Sequence, residues 1–299
     1  MNSKRLTFGR RGFLQAMSGL AANLRTGYSL PTMTGLDSPT TTGIDEVFDC
    51  GVVFGPHHRQ SLDTRPETVL KILDKARIGQ ALGVSLLGLY YSSKEGNRHT
   101  LQVCRQSSSR LIPCAIADPL DFATGDHLGR HLKEEGFRAV GFFPYSIFPP
   151  ASQKWPLDYL SFRHCVEEIA EVGLPILINI GKVGEASQLA MMFAEVQTPI
   201  IVRAPGVGGY WLTAEYLSVG RVRPKFYFDV INLAANGSIE LLVERLGADR
   251  LVFSSHTPFR YTLSSLYLVQ YAYITSSQRA AIAAGTIRGL LSDGSLKRS

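Results

Sequence analysis

Val166-Glu167-Glu168-Ile169-Ala170-Glu171-Val172-Gly173-Leu174-Pro175-Ile176-Leu177-Ile178-Asn179 is the stretch that decides the fold. It joins the end of an amphipathic segment, residues 158–172, to an apolar run at residues 175–181. The first segment keeps its apolar side chains on roughly one face, which predicts a helix. The second is short and almost continuously apolar, which predicts a strand buried on both faces of a sheet.

The same alternation of strand and helix recurs along the chain from residue 46. The strand candidates are Val47–Phe54, Val84–Tyr91, Leu111–Asp118, Ala139–Tyr145, Pro175–Gly181, Pro199–Ala204, Phe226–Asn232 and Leu251–Ser255. Amphipathic segments such as Pro66–Leu82 lie between them. Eight buried strands separated by helices predict an α/β fold, a single (β/α)8 TIM barrel over residues 44–292. An open doubly wound sheet is the rival, but it usually carries a glycine-rich phosphate loop after the first strand, and Gly51–Gly55 lacks that pattern.

The N-terminal segment is predicted to be separate from the barrel. Arg10-Arg11-Gly12-Phe13-Leu14 precedes a short apolar run and resembles a bacterial twin-arginine leader, which implies an exported, periplasmic protein. A short amphipathic surface helix that begins with a basic cluster is the alternative. We therefore predict a signal segment at residues 1–25, a flexible linker at 26–43, rich in Thr, Ser, Gly and Pro, and a disordered tail at 293–299.

The charge distribution argues against a nucleic-acid partner. Residues 1–25 carry five basic residues and no acid, so most of the net charge of +6 lies outside the predicted barrel. A nucleic-acid-binding domain would need a basic patch on the folded part. Nothing in the chain approaches the roughly 20 apolar residues that span a bilayer, so we expect no stable membrane insertion. A homodimer is an expectation only because dimers are common among soluble proteins.

The four cysteines do not form a metal-binding pattern. Cys50, Cys104, Cys114 and Cys165 are scattered, with neither a Cys-x-x-Cys pair nor zinc-type spacing. We expect buried free thiols. One disulfide between two of them is the alternative for an exported protein.

Polar residues at the predicted strand ends are the candidates for chemistry, because the catalytic groups of a parallel barrel lie where strands pass into loops. The candidates are Asp49, His57, His58, Tyr90, Tyr91, Asp118, Tyr145, Asn179, Arg203, Asp229, Asn232 and His256. Any single polar residue at such a point is more often hydrogen-bonded to a loop than catalytic. Their number is what indicates a site.

Three segments resemble successive blocks of the amidohydrolase-related family: Gly136–Pro144, Val166–Asn179 and Leu246–Ser255. The resemblance runs in order from about Glu46 to Leu291, and the segment that begins at Gln278 resembles the closing helix of that family. It implies a metal-dependent hydrolase or decarboxylase on a TIM barrel.

The residues at the metal-ligand positions of that family differ in this chain. The resemblance implies Asp-x-His-x-His at the end of the first strand, where this chain has Asp49-Cys50-Gly51-Val52-Val53. Asn179 and Arg203 stand near the histidine positions of the fifth and sixth strands, and His256 stands at the aspartate position of the eighth. Glycine and valine have no ligating atom, and an amide and a guanidinium are poor metal ligands. We therefore expect no metal cofactor in the usual site. A relocated metal site formed by His57, His58 and His256, with Asp229 nearby, is the alternative.

A site without a metal is chemically reasonable. Arg203 would pair with a substrate carboxylate, and Asn179 would orient a carbonyl oxygen. His256, with an ordinary pKa near ~6.5, would transfer protons under the influence of Asp229. Tyr91 and Tyr145 complete the predicted substrate-binding set. The structural alternatives are that Arg203 pairs with Asp229 or Asp49, and that His256 is an ordinary hydrogen-bonded residue.

Two functions follow from these residues. The first is a divergent exported hydrolase that acts on a small lactone, ester or amide carrying an acid group. The second is a non-catalytic TIM barrel that binds a small acidic ligand or a protein partner. Loss of the family ligands favours the second function, whereas their replacement by Asn, Arg and His, all polar, favours the first. Analogy with the family inclines the prediction to a hydrolase.

Overall fold

The computed structural model describes residues 44–57, 62–121, 127–145, 153–206 and 208–296, with side chains described up to residue 292. The predicted signal segment and linker, as well as His58, lie outside the described residues. The last helix runs to Leu296, which is beyond residue 292, where the barrel was predicted to end.

Eight strands form one parallel sheet in the order β1 to β8, so that each strand pairs with the next one along the chain. The strands are β1 Phe48–Phe54, β2 Gln80–Ser85, β3 Leu111–Ile116, β4 Ala139–Phe142, β5 Ile176–Asn179, β6 Ile200–Arg203, β7 Phe226–Asp229 and β8 Leu251–Val252.

Helices alternate with these strands. They are α1 Pro66–Lys75, α2 Leu86–Tyr90, α3 Ser93–Gln106, α4 Leu128–Glu135, α5 Leu160–Glu171, α6 Glu185–Met192, α7 Tyr210–Val222, α8 Ser238–Leu246, α9 Thr262–Gln270, α10 Ser276–Ala280 and α11 Thr286–Leu296. A short 3₁₀ helix, Ala248–Arg250, precedes β8, and a π-helical turn, Ala281–Gly285, joins α10 to α11.

Backbone hydrogen bonds between β1 and the segment that follows β8 bring the sheet close to a closed barrel. Cys50 N donates to Phe253 O at 3.0 Å, and Val53 N donates to Thr257 O at 3.0 Å. Because the first strand thereby meets the last, the predicted (β/α)8 barrel is confirmed.

The position predicted for the second strand is wrong. Strand β2 covers Gln80–Ser85, and Leu86–Tyr90, which was predicted as part of the strand, forms helix α2. The hydroxyl of Ser85 accepts a hydrogen bond from Leu87 N and caps this helix. A continuous apolar run fits a buried helix as well as a buried strand, and here the serine cap decides the outcome. Helix α1 accordingly ends at Lys75, well before the predicted Leu82.

The other structural expectations can be checked directly. All four cysteines are free and buried, which confirms the predicted thiols and excludes the alternative disulfide. Within the described residues, none of the helices combines the length and the apolar character that a bilayer crossing requires.

Candidate active site

A layer of polar side chains lies at the carboxyl ends of strands β5 to β8. Leu177, Ile201 and Val252 pack in one buried cluster. Side chains two positions apart share a face of a strand, so Asn179, Arg203 and Ser254 follow on the same face as these apolar residues. Asp229 ends β7 between them, and it is fully buried.

Arg203 lies at the centre of this layer. Its side chain is 3% exposed, and Nη2 donates to the hydroxyl of Ser254 at 3.2 Å. Its Nε lies 3.9 Å from Asp229 Oδ2, which is too far for a hydrogen bond. Arg203 therefore faces Asp229 across a gap. Of the two structural partners expected for Arg203, Asp229 is the nearby carboxylate.

The Asp229 carboxyl titrates close to neutral pH. Its Oδ1 accepts hydrogen bonds from Ala204 N at 3.2 Å and from Tyr216 OH at 3.5 Å. Burial disfavours the ionised form, and this effect exceeds the opposing attraction of Arg203, so the pKa of Asp229 rises to about 6. A carboxyl group with this pKa can both accept and release a proton under physiological conditions.

The pKa of His256 differs from the ordinary value on which its predicted role rests. It follows β8, is 6% exposed and has a left-handed backbone, with φ of 59°. Burial, reinforced by the charges of Arg203 and Arg260, lowers the pKa of the imidazole to about 3, well below the ~6.5 expected from the sequence. His256 is therefore uncharged at neutral pH.

Several buried polar atoms in this layer have no hydrogen-bond partner among the described residues. They are Asn179 Oδ1, Arg203 Nε, Asp229 Oδ2 and His256 Nδ1. Each of these atoms costs folding free energy unless a ligand or a water molecule satisfies it. The structure thus brings together four of the residues predicted from the sequence and leaves donors and acceptors available on each of them.

Asp49, in contrast to these four residues, has both carboxylate oxygens hydrogen-bonded. Its Oδ1 accepts from Gly51 N at 2.9 Å and from Ser255 N at 3.0 Å, and its Oδ2 accepts from the Ser255 hydroxyl. The pKa of Asp49 is nevertheless raised, because burial outweighs these hydrogen bonds. This carboxylate joins β1 to the loop after β8.

The loop after β8 also contributes Arg260, which the sequence reasoning missed. Its Nη1 donates to Asn232 Oδ1 at 2.5 Å, and its Nη2 donates to Pro205 O at 2.7 Å. Asn232 Nδ2 in turn donates to Ala204 O at 2.6 Å. The sequence could have indicated Arg260 as a candidate, because it lies only four residues after His256.

The remaining candidates lie around this layer rather than in it. Tyr91 is 66% exposed at the end of α2, and the Tyr145 hydroxyl donates to Glu185. The ring of His57 contacts Phe259, with ring centroids 5.9 Å apart. The ring of Tyr90 also packs on that of His57, and Asp118 Oδ1 accepts from Leu120 N at 3.0 Å.

The donor set does not fit the metal site that the family resemblance implies. Gly51 has no side chain, and Arg203 and Asn179 supply a cation and an amide where imidazoles would be required. Within the described residues, no group of three or more His, Cys, Asp or Glu side chains is placed to hold a metal ion. His57 and His256 both pack on Phe259, and the third histidine of the alternative site, His58, lies outside the described residues.

A parallel barrel with a polar layer at the carboxyl ends of its strands is the architecture of TIM-barrel enzymes. A family model described as amidohydrolase matches residues 93–291, and the chain belongs to this family. Comparison with curated protein sequences gives no significant match.

Solved structures with the same fold include decarboxylases and a hydrolase. A 2,6-dihydroxybenzoate decarboxylase from Rhizobium has 15% sequence identity and a TM-score of 0.63, over 83% of this chain and 99% of that chain. A dihydroxybenzoic acid decarboxylase from Polaromonas, with bound manganese and the inhibitor 2-nitroresorcinol, has 14% identity and a TM-score of 0.62, over 86% and 98%. A probable 2-pyrone-4,6-dicarboxylic acid hydrolase from Acinetobacter baumannii, with citric acid bound, has 11% identity and a TM-score of 0.60, over 83% and 99%.

Proposed function

We propose that this chain is a hydrolase that acts on a small lactone, ester or amide carrying an acid group, at the carboxyl ends of the barrel strands and without the usual metal of the family. The observation that carries the proposal is the set of unsatisfied polar atoms on Asn179, Arg203, Asp229 and His256. A polar ligand would satisfy them. Proteins of the same fold are described in complex with citric acid and with 2,6-dihydroxybenzoate, which supports an acid group on the ligand.

Two of these residues would bind and orient the substrate. Arg203 carries a fixed positive charge in a buried site, where its attraction for a carboxylate is stronger than in water. Asn179 lies beside it in register, because Asn179 of β5 pairs with Arg203 of β6. Its amide would hydrogen-bond the carbonyl oxygen of the bond to be broken.

Asp229 is the best-suited general base. Its Oδ2 would take a proton from a water molecule as the water oxygen attacks the carbonyl carbon of the substrate. When the C–O or C–N bond breaks, the leaving oxygen or nitrogen would receive that proton from Asp229. The neutral His256 would hydrogen-bond the substrate or the water through Nδ1, because its low pKa makes it a weak base.

The non-catalytic alternative also rests on a specific observation. The chain has Gly51, Val53, Asn179, Arg203 and His256 where the family resemblance implies ligands. A barrel that lost its metal while keeping a buried cation would still bind a small acid. Binding without turnover therefore distinguishes this function from the hydrolase.

The test is steady-state hydrolysis of lactones, esters and amides, each compared with the analogue that lacks a carboxylate. We expect turnover of the acid-bearing compounds only. Asp229→Asn should lower kcat by about 100-fold or more, the usual contribution of a general base, and Arg203→Met should mainly raise KM. Arg245→Met, on the exposed surface of α8, is the matched control and should leave both constants unchanged. Calorimetric binding of the acids without turnover would establish the binding protein, and full activity of Asp229→Asn would refute the mechanism.

Export is a separate part of the proposal, supported by the paired arginines Arg10 and Arg11 before an apolar run. The test is to fuse residues 1–43 to a reporter protein that is fluorescent after twin-arginine export. We expect fluorescence outside the cytoplasm, and we expect Arg10→Lys with Arg11→Lys to abolish it. A reporter that stays inside the cell with the natural arginines contradicts the proposal.

A further inference from the structure

We infer that the Arg203 guanidinium takes the place of the catalytic metal as the fixed positive charge of this barrel, and that Gly51 is the residue that makes room for it. The inference concerns the same site as the proposed function, but its test requires no substrate.

The space that a side chain at position 51 would need is already filled. A Cβ atom built on Gly51 would lie less than 3.0 Å from Arg203 Nη2 and from the Ser254 hydroxyl, and 3.1 Å from Arg203 Cζ. Real Cβ atoms essentially never approach other atoms so closely. Alanine already meets this obstacle, and the histidine that the family resemblance implies is much larger. A side chain at position 51 would therefore require the Arg203 guanidinium and the Ser254 hydroxyl to move from the positions they hold.

The backbone φ of Gly51 does not by itself require a glycine. Gly51 does not have the left-handed φ that favours glycine, unlike Gly55 four residues later. The register of β1 against β2 shifts between Asp49 and Val52, so the strand is irregular at Gly51 itself. The glycine is thus explained by the space that Arg203 and Ser254 occupy, and it also suits the irregular strand.

Arg203 is held in this position by burial and by one hydrogen bond. Nη2 donates to the hydroxyl of Ser254, the side chain is 3% exposed, and the carboxylate of Asp229 faces Nε across 3.9 Å. A buried charge needs neighbouring groups of opposite charge; Asp229 lies 3.9 Å away, and Asp49, which interacts electrostatically with the guanidinium, is also fully buried. A divalent cation in the same volume would be repelled by the guanidinium. The Arg203 guanidinium and a divalent metal ion would therefore not occupy this site together.

The experiment measures the coupling between positions 51 and 203. Gly51→Ala should lower the Tm by roughly 5 °C or more in the wild-type background, because it overpacks the site. In the Arg203→Met background, whose side chain is flexible and uncharged, the same change should lower the Tm much less. Gly79→Ala is the matched control, since a Cβ there would meet nothing closer than 3.7 Å. Equal losses from Gly51→Ala in the two backgrounds overturn the inference.

A second measurement remains decisive if Arg203→Met does not fold. In that case the Gly51→Ala loss is compared with the Gly79→Ala loss in otherwise wild-type protein, and equal losses overturn the inference. Mn²⁺ and Zn²⁺ are also titrated into chelator-treated wild-type protein. We expect no stoichiometric ion that depends on Asp229. One equivalent of metal that is lost in Asp229→Asn would place the ion in the barrel and overturn the inference.

These results are independent of catalysis. A protein that shows the coupling and binds no metal in the barrel, but hydrolyses nothing, keeps this inference and loses the proposed hydrolase. A protein that hydrolyses acid-bearing substrates with a metal bound in the barrel would be a hydrolase but would refute this inference.

Discussion

Replacing Asp229 by Asn should stabilise the folded barrel above pH 6, even though it removes a charge that faces Arg203. Burial raises the pKa of Asp229 from its ordinary 3.8 to about 6. A pKa raised in the folded state means that ionisation opposes folding, so the stability is full below pH 3.8 and is lost as the pH rises to about 6. Each pKa unit corresponds to about 1.4 kcal/mol, so ionised Asp229 costs the fold about 3 kcal/mol. The amide in the Asp229→Asn variant cannot ionise, so the variant avoids this cost.

The assay is urea unfolding at a series of pH values between 4 and 8. The measured quantity is the difference in unfolding free energy between Asp229→Asn and the wild-type protein, because other titrating groups largely cancel in that difference. We expect it to be near zero at pH 4 and to rise to about 3 kcal/mol at pH 8. Asp158→Asn, at an exposed position, is the matched control and should show a flat difference. If the variant is less stable than the wild type at pH 8, the lost attraction between Asp229 and Arg203 outweighs the gain from removing a buried charge. That result would refute the reasoning.

Three further predictions concern the rest of the fold. Gly96→Ala should lower the unfolding free energy by roughly 1–3 kcal/mol, because the new Cβ would clash with the backbone of α2. Gly289→Ala is the control: its Cβ would meet nothing within 4 Å, so it should raise the unfolding free energy by up to about 1 kcal/mol. Equal effects of the two substitutions in urea unfolding would contradict the packing argument. Asn97→Ala should cost roughly 2–3 kcal/mol in the same assay, because Asn97 bonds both the N–H and the carbonyl of Ile116, and a smaller loss would mean that water replaces the amide. His256→Asn, whose asparagine tolerates the left-handed backbone, should gain stability relative to the wild type as the pH falls from about 6.5 to about 3, since the lowered folded pKa of the imidazole makes its protonation favour unfolding; a difference in unfolding free energy that does not change with pH would contradict this reasoning.

The barrel could be predicted from the sequence because its strands are short apolar runs at regular spacing. Asn179, Arg203 and Asp229 could be located as well, since each is the last residue of its strand. The prediction failed at Leu86–Tyr90, where apolar character alone does not separate a helix from a strand and the capping by Ser85 decides.

The pairwise geometry of the site could not be predicted. Gly51 and Arg203 lie on strands β1 and β6, and although the family resemblance places both at positions of one metal site, it does not show that the guanidinium fills the space beside Gly51. The pKa of His256 depends on burial and on the charges of Arg203, from strand β6, and Arg260, from its own loop. Ser254 and Ser255, which hold Arg203 and Asp49, stand directly before His256, but serine next to a candidate residue is too common to be a signal.

The 3.9 Å separation between Arg203 and Asp229 is itself an argument for a ligand. A buried ion pair that only stabilises a fold gains most when the partners form hydrogen bonds at about 2.8 Å, since these must offset the cost of removing both charges from water. Here Arg203 Nε and Asp229 Oδ2 lie near each other, are buried, and have no hydrogen-bond partner within the described residues. A ligand oxygen about 2.8 Å from both atoms would have to lie to one side of the line that joins them, where it could accept from Nε and donate to Oδ2. A water molecule in that position would be placed to act as the nucleophile in the proposed hydrolysis.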